Sequence, residues 1–102
     1  MKIRYTPQAQ LDLRAIKDYI GNKLMTKSAA IRISRAILKS CSLLKDNPYL
    51  GRDLSDMIDE PSDYRYIICE RYLVFYLIEE GHISVERIID GRTDYVSTIF
   101  DI

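Results

Sequence analysis

Tyr64–Asp90 has the sequence YRYIICERYLVFYLIEEGHISVERIID and carries the strongest structural signal in the chain. Its apolar residues fall in three runs separated by short polar breaks, and much of their spacing has the period of two that indicates β-strands. The middle run, Tyr72–Ile78, is apolar on both faces, so we place it at the centre of a sheet. Glu79–His82 (EEGH) contains a glycine and predicts a hairpin turn. These residues therefore predict an antiparallel meander.

The first half of the chain has a helical period instead. Lys2–Tyr5 alternates apolar and polar residues and predicts a short first strand. Thr6 is a favourable N-cap and Pro7 suits the first helical position, where its missing N–H costs nothing. The apolar spacing then predicts a helix over Pro7–Ile20 that ends at Gly21 and Asn22.

A second helix begins near Thr26 or Ser28 and must end before Pro48, because a residue that precedes proline avoids helical dihedral angles. Its apolar positions share one stripe: Ala30, Ile33, Ile37, Cys41 and Leu44. Residues 47–64 are rich in proline and acids and predict an irregular surface connection. Within that connection we expect three apolar residues to contact the core: Leu50, Leu54 and Met57.

These elements predict one α+β domain over residues 1–102. It is a two-layer fold in which the N-terminal strand and an α-helical hairpin pack on a mainly antiparallel sheet. The longest apolar run is strand-sized, so we expect no membrane partner. The opening MKIRYTP has no apolar signal region, which favours a cytoplasmic location. Cys41 and Cys69 are expected to be free thiols. No ligand spacing or glycine-rich phosphate loop is present, so we predict no metal and no cofactor.

The formal net charge of zero conceals two oppositely charged halves. Met1–Arg52 holds 11 Lys/Arg and 3 Asp/Glu, a net charge of +8, whereas Asp53–Ile102 holds 4 and 12, a net charge of −8. Such a dipolar surface steers oppositely charged partners. The predicted helices carry the candidate binding residues of the basic half: Arg14, Lys17, Arg32, Arg35 and Lys39. The alternative is that these side chains only solvate the outer faces of the helices.

Three stretches carry a resemblance to a known family: YTPQAQLDLRAIKDYI (5–20), LLKDNPYLGRDL (43–54) and YRYIICERYLVFYLIEEGHISVERIIDGRTDY (64–95). Taken in order, they resemble the RelE/ParE superfamily of bacterial toxins. The resemblance implies the toxin of a type II toxin–antitoxin pair, neutralised by a cognate antitoxin whose flexible C-terminal segment wraps around it. It also implies that operator DNA is bound only through the antitoxin.

Members of the superfamily have one of two activities, and the two activities require different residues. RelE-like members cut mRNA in the ribosomal A site, which requires proton transfer and a cation that stabilises a charged phosphorane. By resemblance, Arg65 matches the family's strand arginine, Arg92 matches the arginine after the last strand, and Tyr95 lies near the C-terminal tyrosine. These three are the catalytic candidates if the protein is a metal-independent endoribonuclease. ParE-like members instead poison DNA gyrase.

Other residues favour the ParE-like interpretation. Residues 47–63 contain no lysine, and acids surround the place where RNA phosphates would bind: Asp59, Glu60, Asp63, Asp90 and Asp94. Arg65 and Arg92 are equally compatible with structural ion pairs to Asp90 or Asp94. Tyr95 is compatible with packing beside the apolar residues of a last helical turn. The stretch NPYLGRDL (47–54) resembles ParE-like toxins more than RelE-like nucleases.

The sequence leaves three functions open, in order of preference. The first is a growth inhibitor that binds and poisons gyrase and has no catalytic residue of its own. The second is a ribosome-dependent mRNA endonuclease. The third is a non-toxic partner of a DNA-binding antitoxin.

Overall fold

The predicted meander is present in the structure, a computed structural model that describes residues 1–23 and 26–100, with the side chain of Phe100 excepted. Its strands are β3 (Arg65–Cys69), β4 (Tyr72–Glu79) and β5 (His82–Asp90). They belong to a five-stranded sheet in which β4 is the middle strand. The central position predicted for Tyr72–Ile78 is therefore confirmed. His82, expected in the turn, is instead the half-buried first residue of β5.

The N-terminal strand, β1 (Lys2–Tyr5), joins the sheet parallel to β5, and the sheet order is β1-β5-β4-β3-β2. Thr6 then caps α1 (Pro7–Asp18) as predicted, since its Oγ1 accepts a hydrogen bond from the Ala9 amide at 3.0 Å. The same hydroxyl donates to the Glu86 carbonyl of β5 at 3.0 Å. One side chain therefore begins the helix and also ties it to the sheet.

A carboxylate on α1 makes a second tie to β5. Asp12 receives two hydrogen bonds from the Arg87 guanidinium, at 2.8 and 3.1 Å, and one from the Ile88 amide at 2.9 Å. Both side chains are largely buried, so the pair is poorly screened by water. Loss of either partner would leave a charge with little hydration, which makes this contact a strong constraint on where α1 lies.

The turn between the long helices differs from the prediction. The helical conformation does not end at Gly21. A π-helical turn, Tyr19–Lys23, follows α1 and precedes α2 (Lys27–Ser42). The wider turn keeps Ile20 buried while the chain turns towards α2, and the Thr26 amide donates to the Ile20 carbonyl at 3.3 Å. The two helices form the predicted hairpin.

The connection after α2 is more ordered than predicted. Two 3₁₀ turns (Leu43–Lys45 and Pro48–Leu50) lead into a two-residue strand, β2 (Arg52–Asp53), and a short helix, α3 (Ser55–Ile58). Leu54 is fully buried, as expected. Leu50 and Met57 were expected to contact the core, but they are 54% and 49% exposed. Of these three residues, only Leu54 is part of the core.

Both faces of the sheet are covered, which extends the predicted two-layer arrangement. The hairpin packs on one face, over Val74 of β4 and its neighbours. The short helices α3 and α4 (Tyr95–Phe100) lie on the opposite face, where their side chains pack against Leu73 and Phe75. Alternate residues of a strand point to opposite faces, so β4 supplies both clusters.

The hydroxyl of Tyr76, on the central strand, lies in the protein interior. Tyr76 has no exposed surface; its Oη donates to the Pro48 carbonyl at 2.7 Å and accepts from the Gly51 amide at 2.9 Å. Tyr66 and Tyr72 are buried as well. The connection after α2 is therefore held down by one phenol, which satisfies two backbone groups that would otherwise be buried without partners.

Gly51 leaves no room for a side chain at this point. A Cβ there would lie 2.5 Å from the Tyr76 Oη and 2.7 Å from the Tyr66 carbonyl oxygen. We expect Gly51→Ala to lower the free energy of unfolding by about 1–3 kcal/mol, because neither neighbour can move without losing a hydrogen bond or a strand contact. Urea unfolding followed by circular dichroism measures the change.

Gly21→Ala is the matched control for this experiment. A Cβ at Gly21 would lie 3.6 Å from the Ala30 Cβ, an ordinary van der Waals contact. This variant should unfold at the same urea concentration as the parent or at a slightly higher one. Equal stability of Gly51→Ala and the parent would show that the loop is not held as described.

Candidate functional site

Arg65 lies at the start of β3 and binds a backbone carbonyl, not one of the acids named in its structural alternative. Its Nε and Nη2 donate to the Gly51 carbonyl at 3.1 and 2.7 Å, and its Cζ lies 5.1 Å from the centre of the Tyr49 ring. The proposed ion pair with Asp90 or Asp94 is therefore wrong for this residue. Arg65 and its cross-strand neighbour Tyr76 therefore hold the same residue of the loop, Arg65 through the Gly51 carbonyl and Tyr76 through the Gly51 amide.

The surroundings of Arg65 are acidic. A shallow cavity of 340 Å³ beside it is lined by the carboxylates of Asp53, Asp63 and Glu79. Hydrogen bonds from Ser55 lower the pKa of Asp53, so that carboxylate is charged at neutral pH. An RNA phosphate placed next to Arg65 would approach several negative charges, which opposes binding of a polyanion.

Arg92 forms an ion pair with Asp90, which is the structural role that the sequence left open for it. Its Nη2 lies 2.9 Å from Asp90 Oδ2, while its Nε and its amide donate to Asp90 Oδ1 at 3.2 and 3.0 Å. Arg71 reaches the same carboxylate, with its Nε 3.3 Å from Oδ2. The hydrogen bond from Arg92 is the main reason that the pKa of Asp90 lies below its ordinary value, and it also raises the pKa of Arg92.

Tyr95 packs against the sheet. Its ring centre lies 5.6 Å from that of Phe75, and its hydroxyl contacts the Met57 sulfur at 3.9 Å. The side chain is half-buried in the cluster beneath α3 and α4. Tyr95 therefore has the packing role that the sequence left open as the alternative to a role as a general acid.

The three catalytic candidates do not converge on one place. Arg65 lies opposite Tyr76 in the sheet, whereas Arg92 follows Asp90, which lies opposite Tyr72. Those rows are four residue steps apart along β4, a distance of about 13 Å. Among the described residues there is also no group of three or more metal-ligating side chains. Burial raises the pKa of the Cys41 thiol to about 11, which keeps it protonated.

The candidate binding residues are all exposed on the outer sides of the hairpin. Arg32 is the only one of the five that takes part in an ion pair between described residues, with Glu70 at 3.1 Å. Arg14 and Lys17 on α1, with Arg35 and Lys39 on α2, form what we call the basic helix face. The aspartates of α1 offset little of this charge, since one of the two, Asp12, is bound to Arg87.

Sequence reasoning missed a second surface, the trough between α2 and the outer edge of β3, which we call the α2–β3 groove. One end holds a cavity of 260 Å³, lined in part by Leu43, Leu50 and Ile68. The other end holds a cavity of 290 Å³, lined in part by Ala29 and Tyr72. The available signal was two apolar residues: Leu43, directly after α2, and Leu50 in the second 3₁₀ turn, which was expected in the core.

The sequence and the fold were both compared with known proteins. The family model described as "ParE toxin of type II toxin-antitoxin system, parDE" matches residues 3–95. A solved structure titled "Chromosomal ParDE TA system from P. aeruginosa" superposes with a TM-score of 0.74 at 21% identity, over 88% of this chain and 95% of that chain. At this identity the likeness concerns the fold alone. No curated protein matches the sequence. In the described part of the chain no helix is long and apolar enough to span a bilayer.

The Asp90 contacts predict how stability changes with pH. A carboxylate whose pKa is lowered in the folded state stabilises the fold above its unfolded pKa, here near 3.8, and loses that effect as the pH falls through the folded value. Asp90→Asn should therefore lower the melting temperature at pH 7, and the difference from the parent should shrink below pH 3.8. Thermal scans between pH 7 and about pH 2.5 measure it.

Asp46→Asn controls for the loss of a surface charge, because exposed Asp46 takes part in none of the four ion pairs between described residues. A difference between Asp90→Asn and the parent that stayed constant across the whole pH range would contradict the assigned role of Asp90.

Proposed function

The chain belongs to the ParE toxin family of type II toxin–antitoxin systems, and on this premise we propose that it inhibits growth by binding and poisoning DNA gyrase. In this proposal the protein acts by occupying a surface on its target and has no catalytic residue of its own. A cognate antitoxin neutralises it, and operator DNA is contacted through that antitoxin. The main support for the proposal is that both candidate arginines are bound within the fold: Arg65 binds the Gly51 carbonyl and Arg92 binds Asp90.

Both candidate arginines make contacts within the fold that they would have to give up in order to bind a phosphate. Arg65 donates two hydrogen bonds to the Gly51 carbonyl, and release of this contact would free the loop after α2. Arg92 is bound to Asp90 through both its side chain and its amide. A phosphorane needs a cation that is free to meet it, in a site where general acid and base lie within hydrogen-bonding reach. The two arginines do not form such a site, because the row of Arg65 and that of Asp90, which binds Arg92, are about 13 Å apart along β4.

The basic helix face supports a protein partner. Its four cations are exposed, and they belong to the half of the chain with a net charge of +8. Charges of this kind accelerate the encounter with an acidic surface and select against basic ones. They also make association sensitive to salt, because exposed charges are screened beyond about 8 Å at physiological ionic strength.

Charge reversal tests the basic helix face. The variant Arg14→Glu, Lys17→Glu, Arg35→Glu, Lys39→Glu should raise the toxin concentration that half-inhibits gyrase supercoiling by at least about ten-fold, equivalent to ~1.4 kcal/mol of binding energy. A supercoiling and cleavage assay with purified gyrase measures the change.

The matched control reverses four exposed charges outside α1 and α2: Lys2, Arg4, Lys45 and Arg52. It changes the net charge by the same amount and should inhibit gyrase like the parent. Full inhibition by the helix-face variant would exclude that surface. No inhibition by the parent chain itself would exclude gyrase as the target.

RNA cleavage is tested separately. Purified toxin is added to a cell-free translation reaction on a linear template, and mRNA ends are mapped by primer extension. We expect intact mRNA, and we expect Arg92→Ala to retain the gyrase activity of the parent, because Arg92 contacts Asp90 and its side chain is 70% exposed. New mRNA ends that require ribosomes and disappear in Arg92→Ala would establish the nuclease instead. A chain that affects neither gyrase nor mRNA would leave the non-toxic partner role.

A further inference from the structure

We propose that two exposed apolar residues of α2, Ile31 and Leu38, insert into an apolar cleft on the target protein, while the cations around them bind acids on the rim of that cleft. The inference rests on the proposed function, since it takes the protein to act by occupying a surface on its target, gyrase. It adds to the basic helix face the two residues that hold the complex together once it has formed.

Ile31 and Leu38 lie on the flank of α2 that is turned away from the edge of β3. The flank beside β3 is marked by Ala29 and Ser40, which line the two cavities of the α2–β3 groove. Successive residues of an α-helix are about 100° apart, so Ile31 lies about 160° around the helix from Ala29, and Leu38 lies about 160° from Ser40. Seven residues separate Ile31 from Leu38, which places them in line and about 10 Å apart. We call these two residues the apolar pair.

The apolar pair is accessible although it lies on the same helix as a core stripe. Ile31 is 45% exposed and Leu38 is 40% exposed, whereas Ile33 and Ile37 are buried. Scattered exposed apolar residues are ordinary on a protein surface, so exposure alone assigns no role. This pair is distinguished by its regular spacing, with Arg35 exposed four residues after the first and three before the second. Such spacings place side chains next to one another and are those of the apolar anchors that seat a helix in a groove.

The surface around the apolar pair is basic. On α1, Arg14 and Lys17 follow Asp12 by two and five residues, which places them nearly opposite the carboxylate that binds β5. α2 contains no aspartate or glutamate and four cations: Lys27, Arg32, Arg35 and Lys39. Apart from Arg32, none of these cations on the two helices takes part in an ion pair between described residues. An acidic partner can therefore reach them without displacing an internal contact.

These features fit a protein that has an apolar cleft rimmed by carboxylates. Acids on the rim would pair with the cations, and the cleft would remove the apolar pair from water. A nucleic acid supplies the negative charge, but its phosphate backbone offers no apolar cleft. A second copy of this chain fits poorly, because two copies of α2, each without an acid, would repel one another.

The apolar pair and the cations act on different steps of binding. Exposed cations accelerate the encounter, and salt weakens their effect by screening. Burial of apolar area acts after contact and slows dissociation, and it does not depend on screening. Loss of the apolar pair should therefore change the dissociation rate by a similar factor at low and at high salt. Loss of the cations should change mainly the association rate, and mostly at low salt.

The double variant Ile31→Ala, Leu38→Ala tests the apolar pair. Alanine has the highest helix propensity and both positions are exposed, so the variant should unfold at a urea concentration close to that of the parent. Its Kd for purified gyrase bound to DNA should rise by about ten-fold, mostly through faster dissociation. Surface plasmon resonance at two salt concentrations, about 50 mM and about 300 mM, measures both rates.

The matched control is the double variant Leu11→Ala, Leu43→Ala. These leucines are 54% and 52% exposed, more than either member of the apolar pair. Leu11 lies on α1, and Leu43 lines the α2–β3 groove on the opposite flank. The Kd of this control for gyrase should change by less than about two-fold. An equal loss of affinity in both double variants would contradict the assignment to one flank of α2.

The outcomes separate the inference from the proposed function. If the parent binds gyrase and Ile31→Ala, Leu38→Ala binds it equally well, the inference is overturned and the gyrase proposal stands. If the parent does not bind gyrase, the gyrase proposal fails, and growth after induced expression decides the inference. Growth restored by this double variant, but not by the control, would support insertion of the apolar pair into another protein target. Growth arrest by both variants would overturn it.

Three further results would overturn the inference. The first is a parent chain that does not inhibit growth, which would show that there is no target to bind. The second is an equal loss of affinity for DNA in the absence of gyrase, which would assign the flank to a nucleic acid. The third is a dimer of the free protein that Ile31→Ala, Leu38→Ala dissociates, which would assign the flank to a second copy of the chain.

Discussion

The burial of β4 on both faces is the constraint on which the rest of the structure depends. Tyr72–Tyr76 is a run of five buried residues, so neither face of the sheet can meet water along its centre. The hairpin covers one face, and α3 and α4 have to cover the other. The run also carries the Tyr76 hydroxyl into the interior, where a phenol needs partners. Those partners are backbone groups of Pro48 and Gly51, which brings the loop after α2 down onto the sheet.

The position of that loop determines what Arg65 does. Once Gly51 lies against Tyr76, its carbonyl meets the guanidinium of Arg65, and the strand arginine becomes a fastener of the fold. Arg92 is held by Asp90 at the other end of the sheet. The exposed cations on the two long helices, apart from Arg32, take part in no ion pair between described residues and are available to a partner. This contrast between arginines bound within the fold and exposed cations on the helices is the basis of the proposed binding mode of action.

The same loop leaves the edge of the sheet open. It must deliver Gly51 to Tyr76 and Leu54 to the opposite core within a few residues, so β2 has room for only two pairing rows before the chain turns into α3. In the described part of the chain, the remainder of β3 has no paired strand on its outer edge. Exposed apolar side chains lie beside it. The open edge is therefore a direct consequence of the contacts that stabilise the interior.

Local patterns in the chain were sufficient for the meander, the helical hairpin, the central place of β4 and the Thr6 cap, since the spacing of apolar residues fixes which side of each element is buried. They also carried the family resemblance. They failed for Leu50 and Met57, which are apolar yet exposed, and they carried no indication that the Tyr76 hydroxyl is internal. Pairings such as Arg65 with Gly51, Asp12 with Arg87 and Tyr95 with Phe75 join residues far apart in the chain. They arise only when loops and strands meet in space, because a charge or a phenol binds whichever group the folded chain places within hydrogen-bonding distance, and periodicity carries no information about that.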